Sequence, residues 1–397
     1  MFLSDKFSSY ELSGELNILA TTYNKLLEEG VNIIDLTISN PTQAKIEYLT
    51  EEIVHAITSP QIFEYRPNPK GLYSARAVIA KYYSEKGYKV SAEDIFLVSG
   101  TSEGYSYLLK LICNPGDKIL VPAPSYPLLD FIAKLENVEI EDFSLKLNSK
   151  GEWRLDIESI YQRLDSRTKG IFFVQPNNPT GTILSKAEGE NLIKLCEENG
   201  LCLIVDEVFR EFVFNSEKPV PLLHSDSVPV FTLNGISKTL ALPQLKLAWI
   251  LAFLPNKVRT QICEALEIIC DTYLSVNTPV QVGLESLFQM RGKINESIME
   301  RLTSNLEYAL NRLGNTSTLS TLKPEGGWYL ILRYSHNIGS EQFAVKLLKS
   351  MGVHVYPGST FRFPEDNFLV ISLLTVSADF KEGLEKIIEF TEHLERT

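Results

Sequence analysis

Four side chains stand in an order suited to chemistry on a carbonyl carbon: Asn178, Asp206, Lys238 and Lys246. Lys238 lies in Asn234-Gly235-Ile236-Ser237-Lys238, and Lys246 follows in Leu242-Pro243-Gln244-Leu245-Lys246. Upstream are Asn178-Pro179-Thr180-Gly181 and Asp206-Glu207-Val208. Alone, each is a weak signal. Together they offer an amine for a Schiff base, a carboxylate for a pyridine nitrogen, an amide for a phenolic oxygen and a cation for a phosphate. Pyridoxal phosphate chemistry needs those four parts.

Each residue has a plainer reading beside the chemical one. A free lysine is protonated at neutral pH and becomes a nucleophile only when desolvated or placed near another cation; otherwise Lys238 is a solvated surface lysine. Asp206 ends the apolar run Leu201–Val205, where it either meets a ring nitrogen or caps the next turn. Asn178 is aimed by the turn residues Pro179 and Gly181, although Asn-Pro-Thr-Gly is also a common generic turn. Gly100, Thr101 and Ser102 follow a strand and open a helix. Helix starts of that kind bind phosphate, and Ser or Thr there can equally serve as an N-cap.

Strands and helices must bring these residues together. Continuous apolar runs predict buried strands at Asp94–Val98, Ile119–Val121, Gly170–Val174, Leu201–Val205, Val230–Leu233 and Leu247–Leu251. Helical periodicity separates most of them, at Ser74–Lys86 and Glu103–Ile112 for example. Alternation of this kind predicts a mainly parallel sheet covered on both faces. Ligands then meet the loops at the carboxyl ends of the strands, where each motif falls. Asn32–Ile38 predicts a further short strand that ends in the turn Ser39-Asn40-Pro41. From about Gln289 the pattern changes to a long helix over Glu296–Leu313 and strands at Gly326–Leu332 and Asn367–Leu373, a smaller α+β unit. The division expected is a large unit over 46–290, with 1–45 and 291–397 forming the small one.

The 397 residues carry 38 basic and 50 acidic side chains, a net charge of −12, without long charge blocks. That argues against a general nucleic-acid surface. No apolar run is long enough to cross a bilayer, and no secretory leader is expected at Met1–Lys6. The five cysteines form no CxxC pair and no metal-ligand pattern with histidine, so no metal site is expected and a reduced cytoplasm suits the composition.

The motif set resembles the class I/II aminotransferases, the fold-type-I pyridoxal phosphate enzymes, from Ser39-Asn40-Pro41 to Ser372-Leu373-Leu374. Asn234–Thr239, Lys70-Gly71-Leu72-Tyr73-Ser74-Ala75-Arg76 and Val121–Pro127 are most similar to the alanine-aminotransferase branch. The resemblance implies an α/β fold with a seven-stranded large-domain sheet, and pyridoxal 5'-phosphate bound at Lys238 as an imine. It implies that the released lysine moves the substrate proton, and that the substrates are an amino acid and an oxo acid. Gly100, Thr101, Ser102, Ser237 and Lys246 would hold the phosphate, Asp206 the ring nitrogen, Asn178 the phenolic oxygen, and Tyr126 would stack on the ring. Ser39 and Asn40 would border the substrate. Tyr65 would reach the phosphate of a neighbouring copy, which makes a homodimer with shared sites.

Four positions depart from the family pattern. Lys246 replaces an arginine, Gly235 a serine, Phe209 a tyrosine, and Val370 the arginine that receives the substrate α-carboxylate. A buried carboxylate without a partner is strongly unfavourable. Either another cation reaches in, with Arg362 the first candidate and Lys45 and Arg333 behind it, or the substrate has no carboxylate at that point. A lyase, decarboxylase or amine transaminase on the same scaffold therefore stays open, as does a non-catalytic protein that binds the cofactor.

Overall fold

A computed structural model of the chain describes residues 4–7, 18–149, 151–215 and 219–394. Strand β1 (Ile34–Asp35) comes first. It is followed by β2 (Ile95–Val98), β3 (Lys118–Ala123), β4 (Glu139–Leu147), β5 (Trp153–Leu155), β6 (Thr168–Val174), β7 (Cys202–Asp206), β8 (Val230–Gly235) and β9 (Ala248–Phe253). Strands β2 to β9 form one sheet in the order β2-β9-β8-β7-β6-β3-β4-β5. Pairing is parallel from β8 through β7, β6 and β3 to β4, while β9 runs against both its neighbours and β5 runs against β4.

This is the covered, mainly parallel sheet expected, with eight strands where seven were implied. The additional strand is the three-residue β5 at one edge. Neither β4 nor β5 announced itself as an apolar run, because β4 alternates polar and apolar residues at a half-solvated edge. The central strands β2, β6, β7 and β8 are buried along almost their whole length, so they read as unbroken apolar segments.

Because β9 is antiparallel to both β2 and β8, those two point the same way as the parallel core. The carboxyl ends of β2, β3, β6, β7 and β8 therefore share one edge with the amino end of β9. Helix α1 (Thr101–Ile112) starts directly after β2, and the short helix α2 (Ile236–Thr239) directly after β8.

The long helix α3 (Arg291–Leu313) leads into a second sheet. Its strands are β10 (Leu319–Thr321), β11 (Tyr329–Tyr334), β13 (Tyr356–Pro357) and β14 (Phe368–Ser372), ordered β10-β11-β14-β13 and antiparallel throughout. The remaining strand, β12 (Val353–His354), pairs in parallel with β1. Only two residues of the predicted Asn32–Ile38 strand pair this way. The chain beyond them is pinned to β14 instead, as the Ser372 amide donates to the Leu36 carbonyl at 2.6 Å and the Ser372 hydroxyl to the Ile38 carbonyl at 2.5 Å. Residues 36–39 are thus threaded between the small sheet and the edge of the large one.

The turn after β6 is fitted just as closely. Gly181 has φ +70°, and a Cβ there would come within 2.5 Å of both the Gly326 carbonyl oxygen and Pro324. Only glycine meets the backbone conformation and the approach together. Gly181→Ala is expected to lower the unfolding free energy by about 1–3 kcal/mol, read from the denaturant midpoint; an unchanged midpoint would mean the turn can relax.

Candidate active site

Lys238 sits on α2, partly exposed, with its Nζ 2.9 Å from the Ser39 carbonyl oxygen, to which it donates. The ammonium lies 4.5 Å from the centre of the Trp328 ring and 5.8 Å from that of Phe209. No carboxylate pairs with it directly among the described residues. Burial lowers its pKa to about 8, with the charge of Asp206 opposing. Desolvation of this kind converts a lysine into an amine that is neutral at accessible pH.

Asp206 closes β7 and is buried. Burial raises its carboxyl pKa to about 6, against a hydrogen bond from the Tyr105 hydroxyl and one from the Val208 amide at 2.8 Å. Tyr105, on α1, also bonds to Thr101, so one phenol links the start of α1 to the carboxylate. A cationic ring nitrogen would satisfy this carboxylate better than an apolar neighbour does.

Asn178 follows β6, almost fully buried, with its Oδ1 unpartnered. Its amide reaches the Tyr329 hydroxyl, which also bonds the Ser39 side chain. Gly100, Thr101 and Ser102 present the start of α1, and a Cβ built on Gly100 would lie 3.4 Å from Lys246 Nζ. Backbone N–H groups and an ammonium therefore converge on one point, a combination that accepts a phosphate. Ser237 stands beside Lys238 on α2, half-buried. At Gly235 a Cβ would meet the Ala248 Cβ at 2.8 Å across the β8–β9 pair, a steric reason for glycine in place of serine.

Tyr126 is 43% exposed at the mouth of this region, its ring centre 6.3 Å from that of Phe361. Asn40 is occupied in its own turn, where Oδ1 accepts from the Thr42 amide at 3.1 Å and hydroxyl at 2.8 Å. Tyr65 is 66% exposed and makes no hydrogen bond to the others.

Arg362 requires a correction. Expected as a cation free for a substrate carboxylate, it is paired instead with Asp130 at 2.8 Å and Asp142 at 3.1 Å. Two acids already neutralise it, and a substrate would have to displace both. Of the weaker candidates, Arg333 is paired with Glu365 at 2.5 Å and Lys45 is exposed. Val370 is fully buried.

Sequence reasoning passed over Tyr105, Trp328, Tyr329 and Tyr356. Trp328 and Tyr329 open an apolar run that reads as core, Tyr105 and Tyr356 belong to no motif, and only tertiary contacts give each a polar partner or a charge to cover. Among the described residues no cluster of histidine, cysteine and acidic side chains suits a metal, and no helix is long and apolar enough to cross a membrane.

Two outcomes test this electrostatics. Tyr105→Phe removes a bond that favours the ionised carboxylate, so the Asp206 midpoint should rise by about one to two pH units, followed by NMR of labelled aspartate. A fall would contradict the assignment. Lys238, with its lowered pKa, should react with an amine-directed reagent at a rate that climbs through pH 8, before the exposed lysines respond. A Lys238→Ala protein should lose that early phase.

The profile of the family described as aminotransferase class I and II matches residues 31–387. Glutamate-pyruvate aminotransferase AlaA of Escherichia coli K12 is 28% identical over 376 residues, 92% of each chain. Tyrosine aminotransferase of Dictyostelium discoideum is 27% identical over 359 residues, 87% of this chain and 85% of its own. An Escherichia coli aminotransferase structure superposes with a TM-score of 0.87 at 26% identity, covering 99% of this chain and 98% of that one. An alanine aminotransferase structure from Pyrococcus furiosus gives a TM-score of 0.87 at 23% identity, which speaks to the fold.

Proposed function

The chain belongs to the aminotransferase class I and II family and is an enzyme that transfers amino groups, and we propose that it does so with pyridoxal 5'-phosphate bound at Lys238. The observation that carries this reading is a desolvated lysine with no carboxylate of its own among the described residues, set near a buried aspartate at the end of a neighbouring strand.

The residues present fit the cofactor. Asn178 is buried beside this site with two amide N–H donors, of which the Tyr329 hydroxyl engages one, so a donor remains for a phenolic oxygen. The start of α1 and Lys246 would hold the phosphate, Asp206 the ring nitrogen, and Tyr126 one face of the ring. When bound, the cofactor supplies a carbonyl carbon that exchanges amines and a ring that withdraws electrons.

The chain's own groups do the rest. Lys238 Nζ, neutral above about pH 8, can take a proton from the donor carbon and return it, and the Ser39 carbonyl fixes its direction. Asp206 keeps a positive charge on its partner nitrogen, held ionised by Tyr105 and the Val208 amide. Phe209, Trp328 and Phe361, all buried, exclude water and lower the local dielectric.

The similarity to relatives named for glutamate, pyruvate and tyrosine runs at 27 to 28% identity in each case, so it does not single out a donor. An amino acid and an oxo acid remain the substrate classes proposed at the family level. The reading extends to a homodimer in which exposed Phe63 and Tyr65 reach a second copy, with residues 46–290 as its body and 1–45 and 291–397 as its smaller part. A cytoplasmic setting belongs to the same reading, supported by five free cysteines.

Adding the cofactor to purified protein should produce a visible band that an amino donor bleaches and an oxo acid restores. Lys238→Ala should lose the lysine-bound band and about 10²- to 10⁴-fold in rate. Product formed without any oxo acid would point to lyase chemistry instead.

A further inference from the structure

Trp328 covers Lys238 with a ring face. The indole is fully buried, and the lysine Nζ stands over it, 4.5 Å from the ring centre, with the Phe209 ring at 5.8 Å. A cation is drawn to an aromatic face over this range, and tryptophan is the strongest of the aromatic partners. The backbone leaves the indole little freedom. Gly327 has φ +87°, and its amide donates to the Phe212 carbonyl at 2.8 Å; the Trp328 carbonyl accepts from the Leu373 amide at 2.8 Å. A Cβ on Gly326 would come within 2.5 Å of the same Phe212 oxygen. Gly326-Gly327 therefore lets the start of β11 close against the loop that follows β7. The Phe209 and Phe212 rings then pack on the indole, their centres 5.5 and 5.0 Å away.

An ammonium has three N–H donors. Among the described residues the Lys238 ammonium makes one hydrogen bond, to the Ser39 carbonyl. The charged group that acts on it is Asp206, at the end of β7, whose attraction opposes the effect of burial. Ser39, Phe209 and Trp328 bring no charge. A desolvated ammonium without a paired carboxylate is costly, and the ring faces supply the attraction that remains. It is the face of Trp328 that meets the lysine, since its Nε1 has no hydrogen-bond partner.

We propose that the face of Trp328 stabilises the ammonium form of Lys238, so that the released lysine can hold the proton it takes from the amino donor. This inference rests on Lys238 as the reacting lysine. In that step the donor's carbon–hydrogen bond breaks and the proton joins the lone pair of Nζ. The bonding electrons stay with the donor carbon and the electron-withdrawing group bonded to it. The lysine is then a cation in a desolvated place. A carboxylate in contact would keep the proton there, and a saturated apolar wall would resist its arrival. A ring face lies between the two, attracting the cation without offering a base.

The test replaces tryptophan biosynthetically with analogues of increasing ring fluorination, which draw electron density from the face at nearly constant size. Trp153 and Trp249 are replaced as well, but neither ring stands against Lys238, and the Trp328 Nε1 has no hydrogen bond to disturb. Lys238 of the cofactor-free protein is followed by its rate of reaction with an amine-directed reagent against pH, read on its own peptide by mass spectrometry. Loss of attraction for the ammonium lowers the pKa, so the midpoint should fall with each step, by about one pH unit over the series. The pH at which an amino donor bleaches the cofactor-loaded protein should fall with it. A labelling midpoint that stays fixed or rises would overturn the proposal, because a wall that only excludes water is indifferent to fluorine. A midpoint that falls while the bleaching profile stays in place would overturn the part given to Trp328 in proton transfer. Wild-type protein that forms no visible band with cofactor would overturn the Lys238 reading instead, and the labelling series would still decide what the indole does to the lysine.

Discussion

The hydrogen bond from Lys238 to the carbonyl of Ser39 joins two parts of the molecule 199 residues apart in sequence. On one side is the turn that leaves β8 in the large sheet. On the other is a segment held against β14 of the small sheet by Ser372. A backbone carbonyl can orient an ammonium without neutralising it, so the lysine is positioned while its charge stays uncompensated. Burial then outweighs the opposing charge of Asp206 and brings its pKa to about 8. A direct ion pair would have held the proton on and kept the amine inert.

Asp206 shows the complementary balance. Burial raises its pKa, and Tyr105 and the Val208 amide hold it back. The lysine loses its proton more readily than usual and the acid keeps one more readily, each because water is excluded. Two groups so placed at adjacent strand ends form a site that gains from a ligand bearing a positive nitrogen and an exchangeable carbonyl. The start of α1, with Lys246 near Gly100, adds a place for a phosphate at the same edge.

How these residues reach one another is a matter of sheet direction. One antiparallel strand, β9, reverses the chain between β8 and β2, so Lys246 enters the edge from which Asp206, Asn178 and Lys238 leave. The apolar runs made most of that sheet legible, since strands buried on both faces need unbroken hydrophobicity. The strand β4 and the short edge strand β5 beside it were not, because the half-solvated β4 alternates polar and apolar residues. Arg362 misled for a related reason. Its usefulness as a cation depended on having no partner, and Asp130 and Asp142, more than 200 positions away, supply two.

The sequence by itself determined the cofactor-type chemistry on offer, because Lys238, Asp206, Asn178 and Lys246 are separate functional groups whose order along the chain is visible without coordinates. It also showed that position 370 bears no charge. Only the tertiary structure decided what surrounds those groups. Trp328 over the lysine, Tyr105 on the aspartate, and the tyrosines that share a face with Val370 carry no chemical signal in a linear chain. Their roles arise from pairing register and from the exclusion of water, and both depend on residues far apart in sequence being brought into contact.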